Sequence, residues 1–493
     1  MDIPQKMHAN LDKLIEKYSN NEYVYGRLIN YMENLLPTAL ENAIDVQKQR
    51  EERRNQLTAN RDEFTLRFLQ KNRYFYTSQT ELFLHYDGLH FVIHSEDDIQ
   101  HQILSTISSE KCLREWKHKV NKNIIKRIKE RSPLNATPES ATIQFVINAL
   151  CPSIFPTRNH VKYFLVMLGE CITSKNTTIY ILNPALKDII REIGNQCYTY
   201  LGLANIFANI KFKYYDHNYK DCRLLAIDKM YGVYGRRKIT VPAVLSKHML
   251  DFLCVAAHYV TRYSNADHFL ANCSETRLVE HSLFLTKNTP ETIVDSFIER
   301  SLTPCVSSSI DVKNIIFLWK KFLDEISIPS IIFYESLKTL LKTKIKYDES
   351  SDSFQGITSI HLPVVSQFLK FWDETIMECG ENDTLEENEL EIDEVCVLFK
   401  NWASQSKNMS EVLILDLIQH FYPDVVIENS KYILNVKCKL WNKRLEVLNA
   451  LKLYQEKVAL QGDDIYDFYC KQNSAQNSTN LNVSKRYFDK NAY

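Results

Sequence analysis

The sequence predicts a mainly α-helical chain with small β elements, an α+β arrangement divided among several domains. Three observations lead there. At 493 residues the chain exceeds one ordinary core. Glycine numbers 10 where an average chain of this length carries roughly 35, which disfavours glycine-rich phosphate loops and large all-β folds. Apolar residues recur at spacings of three and four, and 45% hydrophobic with 11% aromatic content supplies material for cores.

Residues 1–71 read as a helical region. Tyr25, Leu28, Met32 and Leu35 keep helical spacing, and Pro37 suits a first helical turn, where its missing N–H costs nothing. The charged run "DVQKQREERRNQLTANRDE" reads as a solvated helix face. Residues 72–133 begin as β structure. Asp87-Gly88 stands between two alternating runs and marks a hairpin, because both residue types tolerate positive φ. Ser95 then serves as a helix N-cap with Asp98 three residues on, and Glu96 and Asp97 suit the positive end of the helix dipole. Histidines 85, 90, 94 and 101 crowd this stretch. On an extended strand His90 and His94 share a face about 13 Å apart, too far for one metal ion. No metal site is expected.

The sharpest charge feature is "SSEKCLREWKHKVNKNIIKRIKERSP", residues 108–133, where nine Lys or Arg oppose three Glu. Trp116, Ile124, Ile125 and Ile128 supply its apolar positions, and Pro133 closes it. A basic amphipathic helix can follow phosphates, releasing a counterion for each one neutralised. Lys117, Lys119, Lys122, Lys126, Arg127 and Lys129 are therefore candidate nucleic-acid contacts. The plainer alternative is a lysine-rich surface helix.

Residues 134–306 read as a mostly helical α+β domain. "TTIYILNPALKDIIREIG" predicts a strand, then a helix capped by Asn183, started by Pro184 and ended at Gly194. "NIKFKYYDHNYKDCRLLAID" interleaves basic and aromatic residues, which can stack bases but more often pair across strands. The basic turn Arg236-Arg237-Lys238 adds three candidate nucleic-acid contacts.

The C-terminal third carries a repeat with an offset of about 80 residues. "IIFLWKKFLDE" matches "VCVLFKNWASQ", "IIFYESLKTLL" matches "EVLILDLIQHF", and a β segment and a helix follow each pair. This predicts two winged-helix-like modules, residues 307–377 and 391–470, with Lys338, Lys342, Lys344 and Lys346 available in the first. The second presents Asp416, Asp424 and Glu428 instead. Between them residues 378–390 form an acidic linker, part of "ECGENDTLEENELEIDE", whose acids are expected to be solvated. Residues 471–493 are polar and expected to lack fixed structure.

Several chemistries find no support. Twelve scattered cysteines without a C-x-x-C pair indicate free thiols in a reducing, intracellular compartment. The N-terminus has no apolar signal core, and the longest apolar runs are too short to cross a bilayer. No G-x-x-x-x-G-K-[ST], G-x-S-x-G or H-E-x-x-H occurs. In "HFYPDVVIENSKYILNVKCK" an Asn occupies the place where a metal-dependent nuclease needs a second acid. No catalytic residue and no cofactor are assigned.

"YFYTSQTELFLHYDGLHFVIHSEDDIQHQILSTI" resembles the hairpin-to-helix segment before the ATPase core of poxvirus-type primase–helicases of large DNA viruses. "IDEVCVLFKNW" is similar to the winged-helix tail of those proteins, and the Asn/Lys/Ile/Tyr-rich composition resembles proteins of mimivirus-like giant viruses. The resemblance implies a viral replication- or transcription-associated factor of the host cytoplasm, viral factory or virion. Its partners would be DNA or RNA and viral replication or transcription proteins. Because the phosphate loop is missing, the expected role is non-catalytic. The alternatives are a scaffolding subunit and a degenerate helicase-related enzyme.

Overall fold

The computed structural model describes residues 3–173, 177–213, 218–227, 239–378, 388–403, 409–457, 465–476 and 481–491. They fall into two compact units. One comprises Met1–Thr142 with Tyr198–Gly202, and the other Ile143–Cys197 with Leu203–Tyr493. Helices dominate and the strands form small sheets, as the composition predicts.

In the first unit α1 (Ile3–Tyr18) turns into α2 (Glu22–Asn30), which Asn21 caps through Val24 N at 3.2 Å. A π-helical turn at Tyr31–Leu35 leads into α3 (Leu36–Lys71). Pro37 falls in the first turn of α3, which runs on from the π-helical turn without a break, so its missing N–H removes one helical bond there. Neither α1 nor α2 buries a residue, and α3 buries none before Phe64. Large apolar side chains are consequently exposed on α1 and α3, with Ile3 at 73%, Met7 at 68%, Leu40 at 56% and Ile44 at 52%.

The rest of this unit is compact. Strands β1 (Arg73–Thr77), β2 (Leu82–Tyr86) and β3 (Phe91–His94) form an antiparallel sheet in sequence order. The helices α4 (Glu96–Ser108) and α5 (Lys117–Lys129) follow. Phe64 and Phe68 of α3, Phe83 of β2, Ile99 and Ile103 of α4, and Val120, Ile124 and Ile128 of α5 share one core. Tyr86 pairs with Phe91, so the Asp-Gly loop has four residues, and only Gly88 of the pair takes positive φ. Asp87 Oδ1 accepts from Leu89 N and His90 N, both at 2.7 Å, which holds the loop without a left-handed Asp. Ser95 Oγ accepts from Asp98 N at 3.1 Å, as its N-cap role requires.

The second unit opens with α6 (Ser140–Leu150, across the boundary), α7 (Arg158–Thr173), β4 (Ile179–Leu182) and α8 (Lys187–Leu201). Then come β5 (Ile210–Lys211), β6 (Cys222–Leu225), α9 (Ala243–Lys247), α10 (Met249–Tyr263) and α11 (Ala266–Ala271). Strand β4 is central to a parallel sheet of order β5-β4-β6, and α8 provides the crossover that parallel pairing needs. Helix α8 continues through Gly194, contrary to the expected stop there; a Cβ at Gly194 would meet the Phe207 ring at 3.5 Å. Helices α7 and α10 are buried along most of their lengths, and Gly169 of α7 lets them meet. Buried Glu170 accepts from Ala266 N at 3.0 Å and from the Tyr180 hydroxyl, which ties α7 to α11 and β4.

Helices α12 (Thr276–Ser282), α13 (Phe284–Lys287) and α14 (Pro290–Ser301) lead to β7 (Thr303–Asp311). Helices α15 (Val312–Glu325) and α16 (Tyr334–Lys342), strands β8 (Tyr347–Asp348) and β9 (Ser353–Thr358), and α17 (Leu362–Thr375) complete a first module. After β10 (Ile376–Glu378) the same order recurs. It runs through β11 (Glu389–Glu391), α18 (Ile392–Ala403), α19 (Glu411–Phe421), β12 (Ile427–Glu428) and β13 (Tyr432–Leu434). Strand β14 (Val436–Cys438) and α20 (Lys443–Lys457) follow. The sheet orders are β7-β9-β8 and β11-β13-β12. Equivalent backbone bonds recur as well. Val312 N donates to Asp352 O at 3.2 Å and Ile392 N to Lys431 O at 3.0 Å, while Gln355 N reaches Lys346 O and Leu434 N reaches Val426 O.

Two expectations need correction. The acids around residue 390 are not all solvated: Glu389, Glu391 and Glu394 are 5%, 2% and 5% exposed. Lys431 reaches Glu391 at 2.8 Å, Lys443 reaches Glu394 at 2.8 Å, and Arg486 lies 3.9 Å from Glu389. Remote cations offset the burial of these charges. Nor is the end of the chain without fixed structure. Helix α21 (Ile465–Gln476) extends into it, and α22 (Lys485–Asn491) buries Tyr487 and Phe488 against Val447 and Tyr469. Two aromatics suffice to anchor an otherwise polar segment.

Candidate nucleic-acid interface

Helix α5 presents two faces. Val120, Ile124, Ile125 and Ile128 are buried, and Lys119, Lys122 and Lys126, spaced by three and four residues, are exposed opposite them. Lys117 and Arg127 are exposed too, Lys117 at the helix start and Arg127 beside the stripe. Lys129 lies 3.3 Å from Glu96 and above the Tyr76 and Phe83 rings at 5.5 and 5.3 Å. Of the nine sequence candidates, α5 thus gathers six. Arg236, Arg237 and Lys238 lie outside the described residues.

The acids that precede α5 do not neutralise this stripe. Glu115 is held by Arg53 at 3.3 Å and Glu110 by Arg67 at 3.5 Å, both from α3. Among the described residues, no carboxylate forms an ion pair with Lys119, Lys122, Lys126 or Arg127. Lys119 instead sits 4.4 Å from the centre of the Trp116 ring, which fixes its stem beside a flat apolar surface. The first turn of α5 holds no acid although it carries Lys117 and Lys119, an arrangement the helix dipole opposes. Apart from the Trp116 ring under Lys119, no contact offsets that placement among the described residues, and it suits a surface that meets negative charge.

Two of the clustered histidines pack against aromatic neighbours in the sheet. His85 and His94 lie on neighbouring strands with ring centres 5.3 Å apart, and Tyr74 packs on His85 at 4.9 Å. Burial, and next the adjacent His94, lower the His85 pKa, so the neutral ring is favoured.

The lysines expected to serve the first C-terminal module are mostly engaged. Lys338 pairs with Asp352 at 2.9 Å, Lys342 with Glu349 at 3.5 Å, and Lys344 with Asp295 at 2.7 Å. Lys342 also covers the Tyr347 ring at 4.1 Å. Of that group only Lys346 is exposed without an ion pair to a described residue. Sequence reading could not find these pairs, because Asp295 and Asp352 join the lysines through the fold.

No protein-family model, curated protein or solved structure matches this chain. Among the described residues, no helix is long and apolar enough to cross a membrane.

Proposed function

We propose that this protein is a non-catalytic nucleic-acid-associated factor that grips a polyanion through α5. The observation that carries this reading is the exposed, unneutralised line Lys119–Lys122–Lys126 opposite a fully packed apolar face. Phosphate contacts of this kind position a protein on a strand without reading its sequence. The resemblance to flanking segments of poxvirus-type primase–helicases supports a replication- or transcription-associated role in a large DNA virus.

A second reading concerns the repeated modules, whose strand–helix–helix–hairpin order supports a winged-helix description. With Lys338, Lys342 and Lys344 held by carboxylates, protein is the better partner for them than phosphate. The protein would then join nucleic acid through its first unit and replication or transcription proteins through its second.

Binding of labelled duplex and single-stranded DNA and of RNA, titrated against salt, tests the proposal. Lys119→Ala/Lys122→Ala/Lys126→Ala should reduce the salt slope by about 2–3, since each phosphate contact contributes roughly 0.7–0.9. Lys129→Ala should have a smaller effect, because Glu96 already holds that ammonium. An unchanged slope in the triple variant, or no binding at low salt, would remove the basis of this reading.

A further inference from the structure

A cavity of about 630 Å³ lies in the second unit at the carboxyl ends of β4 and β5. Pro184 and Lys187 follow β4, Lys211 ends β5 with Phe212 and Lys213 after it, and α15 and α16 close the other side. Crevices outside the carboxyl ends of parallel strands are where open α/β sheets take ligands, and this volume falls in the range of small-molecule sites.

The lining is uniform in charge. Lys187, Lys211, Lys213 and Lys320 contribute to it, and no carboxylate does among the described residues. Lys187 is exposed, and Lys211 Nζ donates to Ala208 O at 3.1 Å while retaining two further donors. Phe212, Trp319 and Tyr334 add flat apolar surface. Trp319 is 3% exposed, and its Nε1 has no hydrogen-bond partner among the described residues. A buried indole N–H normally finds an acceptor, and leaving one unmade costs about 1–3 kcal/mol. That nitrogen is itself fully buried, so it is enclosed by the core and does not open to the cavity.

We propose that this cavity binds a nucleoside phosphate. Lys187 and Lys211 meet the phosphate, and the aromatic wall meets the base or sugar. Inorganic phosphate would satisfy the lysines only, and a strand of nucleic acid shares the same chemical groups. The site is separate from α5 and does not depend on the function proposed for that helix.

The test uses the full chain, calorimetry and tryptophan emission, with AMP, ATP, inorganic phosphate and a single-stranded oligonucleotide as probes. The nucleotides should bind at least tenfold more tightly than inorganic phosphate. Lys187→Ala/Lys211→Ala, at positions outside the core, should weaken nucleotide binding at least tenfold while Lys119→Ala/Lys122→Ala leaves it unchanged. Trp319→Phe should abolish the emission change. The inference is overturned by nucleotides that bind no better than phosphate. Affinity unchanged in Lys187→Ala/Lys211→Ala would overturn it too, as would binding confined to the oligonucleotide.

Discussion

The Lys443 ammonium lies 2.8 Å from Glu394 Oε2, and each side chain is 5% exposed. Lys443 Nζ also donates to Glu389 O at 3.2 Å and sits 4.2 Å from the centre of the Tyr487 ring. The pair therefore joins α18, β11, α20 and the C-terminal helix. Burial dominates the charge balance: Glu394 is pushed up to about 7 although the Lys443 charge pulls it down.

Lys443→Met should cost more stability at pH 8 than at pH 5. A carboxyl raised in the folded state contributes fully below its unfolded value and loses that contribution as pH rises through about 7. Without the ammonium that pulls it down, the Glu394 carboxyl rises further and stays protonated at pH 8, and taking up that proton costs stability there but not at pH 5. Glu394→Leu/Lys443→Met should recover most of it. Urea unfolding at both pH values measures this, and equal losses would contradict the account.

His420 joins the two repeated modules and predicts an opposite pH trend. Its Nε2 donates to Lys313 O at 2.8 Å, and its Nδ1 accepts from the Lys320 ammonium at 3.0 Å, so the second bond requires the neutral ring. Burial, ahead of the nearby lysines, lowers its pKa to about 4. A depressed histidine contributes above its unfolded value near 6.5 and loses that contribution as pH falls towards 4. Unfolding of the wild type should weaken over this window by about 1–2 kcal/mol more than that of His420→Gln, allowing for the ring's partly exposed edge. Parallel pH profiles for the two proteins would refute it.

The legible parts of this fold were those that depend on local chemistry. Ser95 and Asp98 cap α4, Pro37 opens α3, and an 80-residue offset aligns Val312 with Ile392 at two helix starts. The basic face of α5 was readable from the spacing of Lys119, Lys122 and Lys126 alone. What escaped depends on residues distant in sequence. The acids of β11 read as solvated because Lys431, Lys443 and Arg486 were not visible as their partners. Gly194 read as a helix end because nothing local showed Phe207 lying across it. The lysine-lined cavity was equally hidden, since its walls come from segments more than 100 residues apart in sequence.

Gly169 predicts a steric effect rather than an electrostatic one. A Cβ at this position would stand 2.2 Å from Ala256 O and 3.0 Å from Val260 Cβ, so α7 and α10 would have to separate. The near neighbour is backbone, which cannot rotate away. Gly169→Ala should therefore destabilise the second unit by about 3 kcal/mol, the upper part of the overpacking range, although alanine is the better helix former. Gly26→Ala in α2, with no atom within 4 Å of the added Cβ, should leave stability unchanged or slightly higher. Equal melting temperatures for both variants would show that the two helices yield at no cost.

The exposed N-terminal helices allow a prediction about what they do not contribute. From Ile3 to the middle of α3 no side chain is buried, whereas Phe64, Phe68 and Leu69 of the same helix belong to the core of the first unit. Helices α1 and α2 and the first turns of α3 therefore add almost nothing to the apolar burial that stabilises this unit. Deleting residues 3–46 should leave the melting temperature within about 2 °C of the full chain, while Phe68→Ala costs about 3–5 kcal/mol. The same deletion should reduce binding of a hydrophobic dye, because it removes the exposed side chains Ile3, Met7, Leu40 and Ile44. Calorimetry and dye fluorescence on the deletion variant measure both effects. A large fall in melting temperature would mean that these helices are packed in solution in a way their exposure does not indicate.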